Sequence, residues 1–349
     1  MLSKEKYILQ FGSLAGWPYL LAKELRNKGY ASKNVIRWYS DVGDLERKLP
    51  YDSSLANPQD NIFFKLRQII NFLKIASEEC SIVHYHGTNI FFREVHHLYE
   101  GPLFKKSNIP MLITFGGGDV RQYEIANNLN PYFYKKNSFF HDLKIKMRLN
   151  SWSKNIRFCA TVEEFFPHAE KYFEKVFVLR QPVNLNVIKP NYPSKDNKIP
   201  IILHTPTEPK VKGTKYVIDT IEKLKKKGLN FEFRLKRNMS QEETQREISK
   251  CDIYVDELLG GGYGVTAIES MAFGKPTVSW ILDSIKDHSP VGLPIVSANP
   301  INLESKLTEL ILDSNLRNKI GIESRKYVEK YHDIKKVTED LIYIYKEIS

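Results

Sequence analysis

Three cysteines stand in 349 residues, Cys80, Cys159 and Cys251, too few and too scattered for a disulfide framework or a cysteine-built zinc site. They read as buried thiols in a reducing compartment. Also missing is any apolar run near the roughly 20 residues that span a bilayer, so no membrane-crossing helix is expected. The opening MLSKEKYILQFG lacks the basic, apolar and small-residue stages of a signal peptide, which points to a cytoplasmic address. Low-complexity tracts are absent, and so is any His, Cys and carboxylate spacing of a metal site; no metal and no cofactor are expected. Acidic residues are outnumbered, 41 against 52 Lys and Arg, and the net charge of +11 favours partners that carry phosphate or an anionic surface.

What is present suits two ordinary domains, since 349 residues is about twice the roughly 150 of a typical one. Strand-like runs YILQFG, IVHYHG, MLITFGG and IRFCAT alternate with helical patterns in the first half. PIILHT, FEFRL, DIYVDE, PTVSW and PIVSA do so in the second. Such alternation predicts βαβ units and parallel sheets, hence an α/β fold of two Rossmann-like domains. The proline- and asparagine-rich stretch around residues 179–200 breaks both periodicities and is the natural linker. The expected domains are 1–185, 186–325 and a final helix within 326–349.

Residues 252–280 run strand, glycine loop, helix, turn, strand. Gly260, Gly261, Gly262 and Gly264 remove side chains where a ligand's phosphates need backbone amides. The helix beginning at Val265 directs its free N–H groups and positive dipole end at that loop. Glu269, one turn further on, is placed to accept hydrogen bonds from ribose hydroxyls. A tight strand-to-helix turn uses the same glycines with no ligand bound. Lys210 and Lys212, near a second strand end in HTPTEPKVKG, either grip a diphosphate or solvate a helix start.

In order, Gly-Tyr-Gly-Val, Ala-Ile-Glu-Ser-Met-Ala and Gly-Lys-Pro resemble the donor segment of retaining GT-B glycosyltransferases of the group 1, family 4-like type. The resemblance implies two Rossmann-like domains facing a cleft, a UDP- or GDP-sugar donor, and no metal. It implies donor contacts from Gly12, Lys210, Lys212, Gly261, Gly262, Tyr263, Gly264, Val265 and Glu269. The family's two glutamates are separated by seven intervening residues; Glu269 matches the second, while the first falls on Gly261. Asp256 or Glu257 is then the substitute for the sugar contact, with Lys236 and Arg237 as further basic candidates.

In the first half Gly12, Ser13 and Gly16 follow the first strand, but GSLAGW lacks the three-glycine dinucleotide fingerprint, which disfavours NAD. His84, His86 and Gly87 end a second strand, and Gly116, Gly117, Gly118 and Asp119 a third. Many relatives have histidine before glycine and aspartate, where this chain has Gly116. By resemblance Ser13, His86, Asp119 and Arg121 bind the acceptor, and Lys212, Asp119 and Glu257 are the catalytic candidates. Asp119 can equally cap a helix, and His86 can equally be a structural group. Residues 135–154 interleave Lys and Arg with Phe139, Phe140, Leu143 and Trp152. Such a segment suits an anionic membrane, and equally a buried helix with a solvated basic face; nucleic acid is not expected.

The expected function is transfer of a sugar, with retention, from a nucleotide diphosphate to a glycan acceptor. The acceptor would be lipid-linked and the enzyme peripheral on the inner membrane face. A nucleotide-sugar epimerase of the same fold, or a non-catalytic nucleotide-sugar-binding module, is the alternative.

Overall fold

The computed structural model describes residues 6–38, 48–88 and 96–349. They form two compact units. One has the bounds Met1–Ile125, Ser138–Pro182 and Ile334–Ser349, the other Ala126–Asn137 and Val183–Asp333.

The first unit is built on a sheet with strands β1 (Tyr7–Phe11), β2 (Ser32–Ile36), β3 (Ser53–Ser54), β4 (Cys80–His86), β5 (Met111–Thr114), β6 (Phe158–Thr161) and β7 (Lys175–Val178). Their order is β3-β2-β1-β4-β5-β6-β7 and every pairing is parallel. The chain reverses direction across the sheet between β1 and β4, so helices cover both faces, and strands such as MLIT are buried throughout because neither face meets water. On one face the helix Ile62–Glu79, capped where Asn61 Oδ1 accepts from Phe64 N at 2.8 Å, buries Ile69, Leu73 and Ala76. The helices Glu100–Lys106 and Phe139–Ser153 add Phe104, Ile145, Leu149 and Trp152 to the same core. Each such side chain contributes about 1.5–3 kcal/mol by leaving water.

On the opposite face the helix Trp17–Asn27 packs against the last helix, Ile334–Ile348. Tyr345 carries that helix into a buried polar chain. Gln10 Nε2 donates to Tyr345 Oη at 2.7 Å, which lies 2.8 Å from His84 Nδ1, and His84 Nε2 lies 2.7 Å from Thr114 Oγ1. His86 Nε2 reaches Gln10 Oε1 at 2.7 Å. The amide fixes the directions: its NH₂ donates to Tyr345, whose hydroxyl hydrogen then serves His84 Nδ1. His84 therefore carries its proton on Nε2, as does His86. Burial holds both imidazoles below their ordinary pKa, His86 down to about 3, with the neighbouring imidazole adding to the effect at His84.

In the second unit the strands are β8 (Ile201–His204), β9 (Glu232–Leu235), β10 (Ile253–Val255), β11 (Thr277–Ser279) and β12 (Val296–Ser297). Their order is β12-β11-β10-β8-β9, again parallel. One side is packed by the helices Thr214–Lys226 and Leu303–Leu312, the other by Gln241–Lys250, Val265–Ala272 and Ser314–Tyr331. At the C-terminal edge the central strands β8 and β10 bring their following loops side by side.

Candidate functional site

The loop after β10 and the helix Val265–Ala272 form the centre of the second unit's site. Gly264 is the N-cap, and the first-turn amides have no partner within the helix. Gly260, Gly261 and Gly262 are buried, while Tyr263, Gly264 and Val265 are half-buried. Gly261 has φ 94°, and a Cβ there would lie 2.7 Å from Leu282 Cγ and 3.0 Å from Asn130 Nδ2. No side chain fits, so the glutamate of the two-glutamate pattern is sterically excluded from this position. The loop is braced from behind. Ser279 Oγ lies 2.9 Å from the carbonyl oxygen of Glu257 and 3.0 Å from that of Gly262, and Leu282 N donates to Gly261 O at 2.9 Å.

Lys212 ends the short helix Pro209–Lys212, where Gly213 at φ 71° turns the chain into the helix Thr214–Lys226. Its carbonyl accepts from Leu258 N at 3.3 Å, which sets it beside the start of the glycine loop. Its ammonium lies 2.8 Å from Asp256 Oδ1 and 3.3 Å from Glu257 Oε2. Burial alone would lower the lysine's pKa. The two carboxylates outweigh it and leave the pKa raised, so the ammonium stays charged. The trio carries one net negative charge, and Asp256 Oδ2 has no partner among the described residues. His204 at the end of β8 ties this corner together, its ring nitrogens 2.8 Å from Val255 O and 2.9 Å from Thr214 Oγ1; burial lowers its pKa to about 4.

Glu269 is 4% exposed, and its Oε1 accepts from both Gln241 Nε2 and Gln245 Nε2 at 2.7 Å. The two amides stand one turn apart on the helix Gln241–Lys250, whose start is fixed by a reciprocal capping box between Ser240 and Glu243. Tyr263 Oη lies 3.4 Å from His332 Nε2. Lys210, Lys236 and Arg237 are exposed. Thus Lys212, Asp256, Glu257 and residues 260–264 come together, whereas Lys210 lies at the surface and Glu269 is engaged by two glutamines.

In the first unit the residues singled out by sequence lie at the C-terminal ends of β1, β4 and β5. Gly12 has φ 124°, and a Cβ there would come within 2.5 Å of His86 O, so only glycine permits this approach. Ser13 is half-buried at the N-terminus of the turn Leu14–Gly16. His86 Nδ1 has no partner among the described residues. Asp119 Oδ1 accepts from Gly117 N at 2.9 Å and Gly116 N at 3.2 Å, so this carboxylate holds the preceding glycine turn. Its Oδ2 is unpartnered and faces Gly87, 3.4 Å from where a Cβ would stand. Burial raises the Asp119 pKa, against the opposing pull of those amides and of Arg148. Arg121 is committed elsewhere, paired with Glu164 and stacked 4.9 Å over the Phe165 ring.

Sequence reasoning missed Gln241, Gln245 and Asn130. The first two signal themselves only as a polar i, i+4 pair on a charged helix. Asn130 belongs to Ala126–Asn137, a piece of the chain's first half that is part of the second unit. There its Nδ2 donates to Leu259 O at 2.9 Å and its Oδ1 accepts from Trp280 Nε1 at 3.3 Å. No local pattern announces a contact spanning 129 positions.

Two parallel Rossmann-like sheets, one carrying a glycine loop at a helix N-terminus beside a half-buried lysine, are the architecture of the GT-B fold. Solved structures of that fold match the whole chain. The sucrose-phosphate synthase of Thermosynechococcus elongatus superposes with a TM-score of 0.66 at 12% identity, covering 98% of this chain and 99% of that one. Anabaena HepE in complex with UDP and glucose gives 0.64 at 11% identity, covering 99% and 100%. WaaG, a glycosyltransferase involved in lipopolysaccharide biosynthesis, gives 0.59 at 12% identity, covering 97% of each chain. Residues 211–327, which hold Lys212, Glu257, the glycine loop and Glu269, match the family of glycosyl transferases group 1. No curated protein matches the sequence.

Proposed function

We propose that the protein is a glycosyltransferase that moves a sugar from a UDP- or GDP-sugar onto a glycan acceptor, lipid-linked and with retention, in synthesis of a surface glycan. The observation that carries this reading is the charged Lys212 beside the amide-rich loop 260–264 at a helix N-terminus, within the segment that matches group 1 glycosyl transferases. An ammonium and several backbone amides stabilise a departing diphosphate as its charge develops.

Because Lys212 already holds two carboxylates, a diphosphate entering here competes with the partly exposed Glu257 rather than with the buried Asp256. Asp256 would keep the lysine in place while Glu257 swings to the hydroxyls of the donor sugar, taking the part that Gly261 cannot. Glu269, oriented by Gln241 and Gln245, would read the ribose. Asp119, its Oδ2 unpartnered and its pKa raised, is suited to orient the acceptor hydroxyl, and His86 Nδ1 offers a second acceptor of hydrogen bonds there. Retention would follow from attack on the face the phosphate leaves, the phosphate itself helping to take the acceptor's proton.

The test is a thermal-shift panel of nucleotides and nucleotide sugars followed by incubation with donor alone and with glycan acceptors. A ligand at 100 times its Kd should stabilise by about 2.7 kcal/mol. Release of UDP or GDP that requires an acceptor is the expected result. An epimer or glycal formed from donor alone would favour the epimerase, and tight binding without turnover the binding module.

A further inference from the structure

We infer that one face of the first unit docks on an anionic lipid surface through two helices that expose apolar residues flanked by basic ones. In the helix Phe139–Ser153, Ile145, Leu149 and Trp152 point into the core. At 100° per residue Phe140, Leu143 and Met147 fall on the opposite side, with Phe139 at its margin. These four are 82%, 42%, 59% and 75% exposed. Lys144 and Lys146 stand exposed on the two flanks of this stripe, Lys146 only 3.8 Å from Glu124. The helix's one acid, Asp142, is buried and accepts from Tyr123 N and Glu124 N at 2.6 and 2.9 Å, so it adds no charge to the stripe.

The helix Ile62–Glu79 exposes apolar residues differently: Ile62 and Leu66 extend the sheet-facing stripe of Ile69, Leu73 and Ala76 into N-terminal turns that no described residue covers, and Phe63 and Phe64 stand beside them. Ile62, Phe63, Phe64, Leu66 and Ile70 are all exposed, Phe63 to 81%. Its charges are Lys65, Arg67 and Lys74 until Glu78 and Glu79 at the far end. The two helices share one side of the sheet. Ile62–Glu79 packs on Glu100–Lys106, which packs on the turn His96–Leu98, which packs on Phe139–Ser153. Leu98, 66% exposed, continues the apolar surface between them. Crossover helices of a parallel sheet run against the strands. The apolar N-terminal turns therefore lie at the edge where β1, β4 and β5 end, the edge that holds Gly12, His86 and Asp119.

A large exposed apolar face marks an interaction site. Two observations select lipid as the occupant. Phenylalanines between lysine flanks match a helix lying in the headgroup layer, its rings in the acyl boundary and its ammonium groups among the phosphates. A second copy would bring two basic faces of a +11 chain together, which repels. No described helix is long and apolar enough to cross a membrane, so the contact is one of surface docking. Docking here would deliver a lipid-borne group to the edge with Asp119, and the inference stands independently of which donor is used.

The test is flotation of the protein with vesicles of phosphatidylcholine alone and with 30% phosphatidylglycerol added, roughly a physiological anionic fraction. Binding is expected to the anionic vesicles. F139S/F140S and I62S/F63S should each weaken it more than about tenfold, and K144Q/K146Q by about 30-fold. V291S, 97% exposed in the second unit, should change nothing. The UDP- or GDP-induced thermal shift should survive in every variant, which separates a failure of docking from a failure of the donor site. Absence of vesicle binding, equal binding by all variants, or concentration-dependent self-association abolished by F139S/F140S would each overturn the inference, the last by assigning the face to a second copy.

Discussion

Lys212 and Asp256 form an ion pair of 2.8 Å in which the carboxylate is 1% exposed and the ammonium 14%. Removing only the lysine leaves a buried anion, which costs about 3–5 kcal/mol. Lys212→Ala should therefore lower the melting temperature and abolish the response to UDP and GDP. The apolar pair K212M/D256L should regain most of the stability, because the stranded charge is gone, and still show no nucleotide shift. A double variant that binds nucleotide like the parent would remove Lys212 from the donor site.

Much of this arrangement is legible in the sequence because it is local. Strand, glycine loop and helix between 252 and 280 announce themselves by periodicity, and so do the strands at 80–86 and 111–114. By contrast, β2 is SKNVI, whose Lys33 and Asn34 hide a strand; Asn34 spends its side chain on the carbonyls of Gln10 and Gly12, at 2.9 and 3.0 Å. The helix Phe139–Ser153 conceals its nature differently, since apolar residues on two opposed sides cancel in any one-sided periodicity. The Glu269 partners and Asn130 were beyond reach because tertiary packing brings them there.

Gly261 supplies the next prediction. Restoring the two-glutamate pattern with Gly261→Glu should not raise transfer. It should unfold the loop, since the residue has φ 94° and meets Leu282 and Asn130. The cost of strain and overpacking is about 2–5 kcal/mol. Gly118→Ala, where nothing lies within 4 Å, should be nearly silent in the same denaturant titration. A stable, more active Gly261→Glu would show that Leu282 gives way.

Glu269 tests the ribose assignment. Glu269→Gln keeps the shape but exchanges two charge-assisted hydrogen bonds, worth about 1.5–3 kcal/mol each, for neutral ones. The fold should persist, UDP or GDP should bind about tenfold or more weakly, and the preference for the ribonucleotide over its 2′,3′-dideoxy analogue should vanish in calorimetric titration. If that preference is retained in full, ribose is read elsewhere.

The last prediction concerns acid. His84 and His86 are buried and neutral, with pKa values below the ordinary 6.5, about 3 for His86. Between pH 6.5 and pH 3 the unfolded chain binds protons that the folded chain refuses, so stability falls as pH falls through that window and is level above it. At pH 5 His86 alone should cost about 2 kcal/mol relative to pH 7, from roughly 1.4 kcal/mol per pH unit. Glutamine is neutral at both pH values and its amide can still donate to Gln10, so His86→Gln should shrink the pH 7 to pH 5 loss by about that amount in guanidinium titrations. An unchanged loss would mean that the imidazole accepts its proton within the folded core, and that the chain from His86 through Gln10 to Tyr345 opens without unfolding.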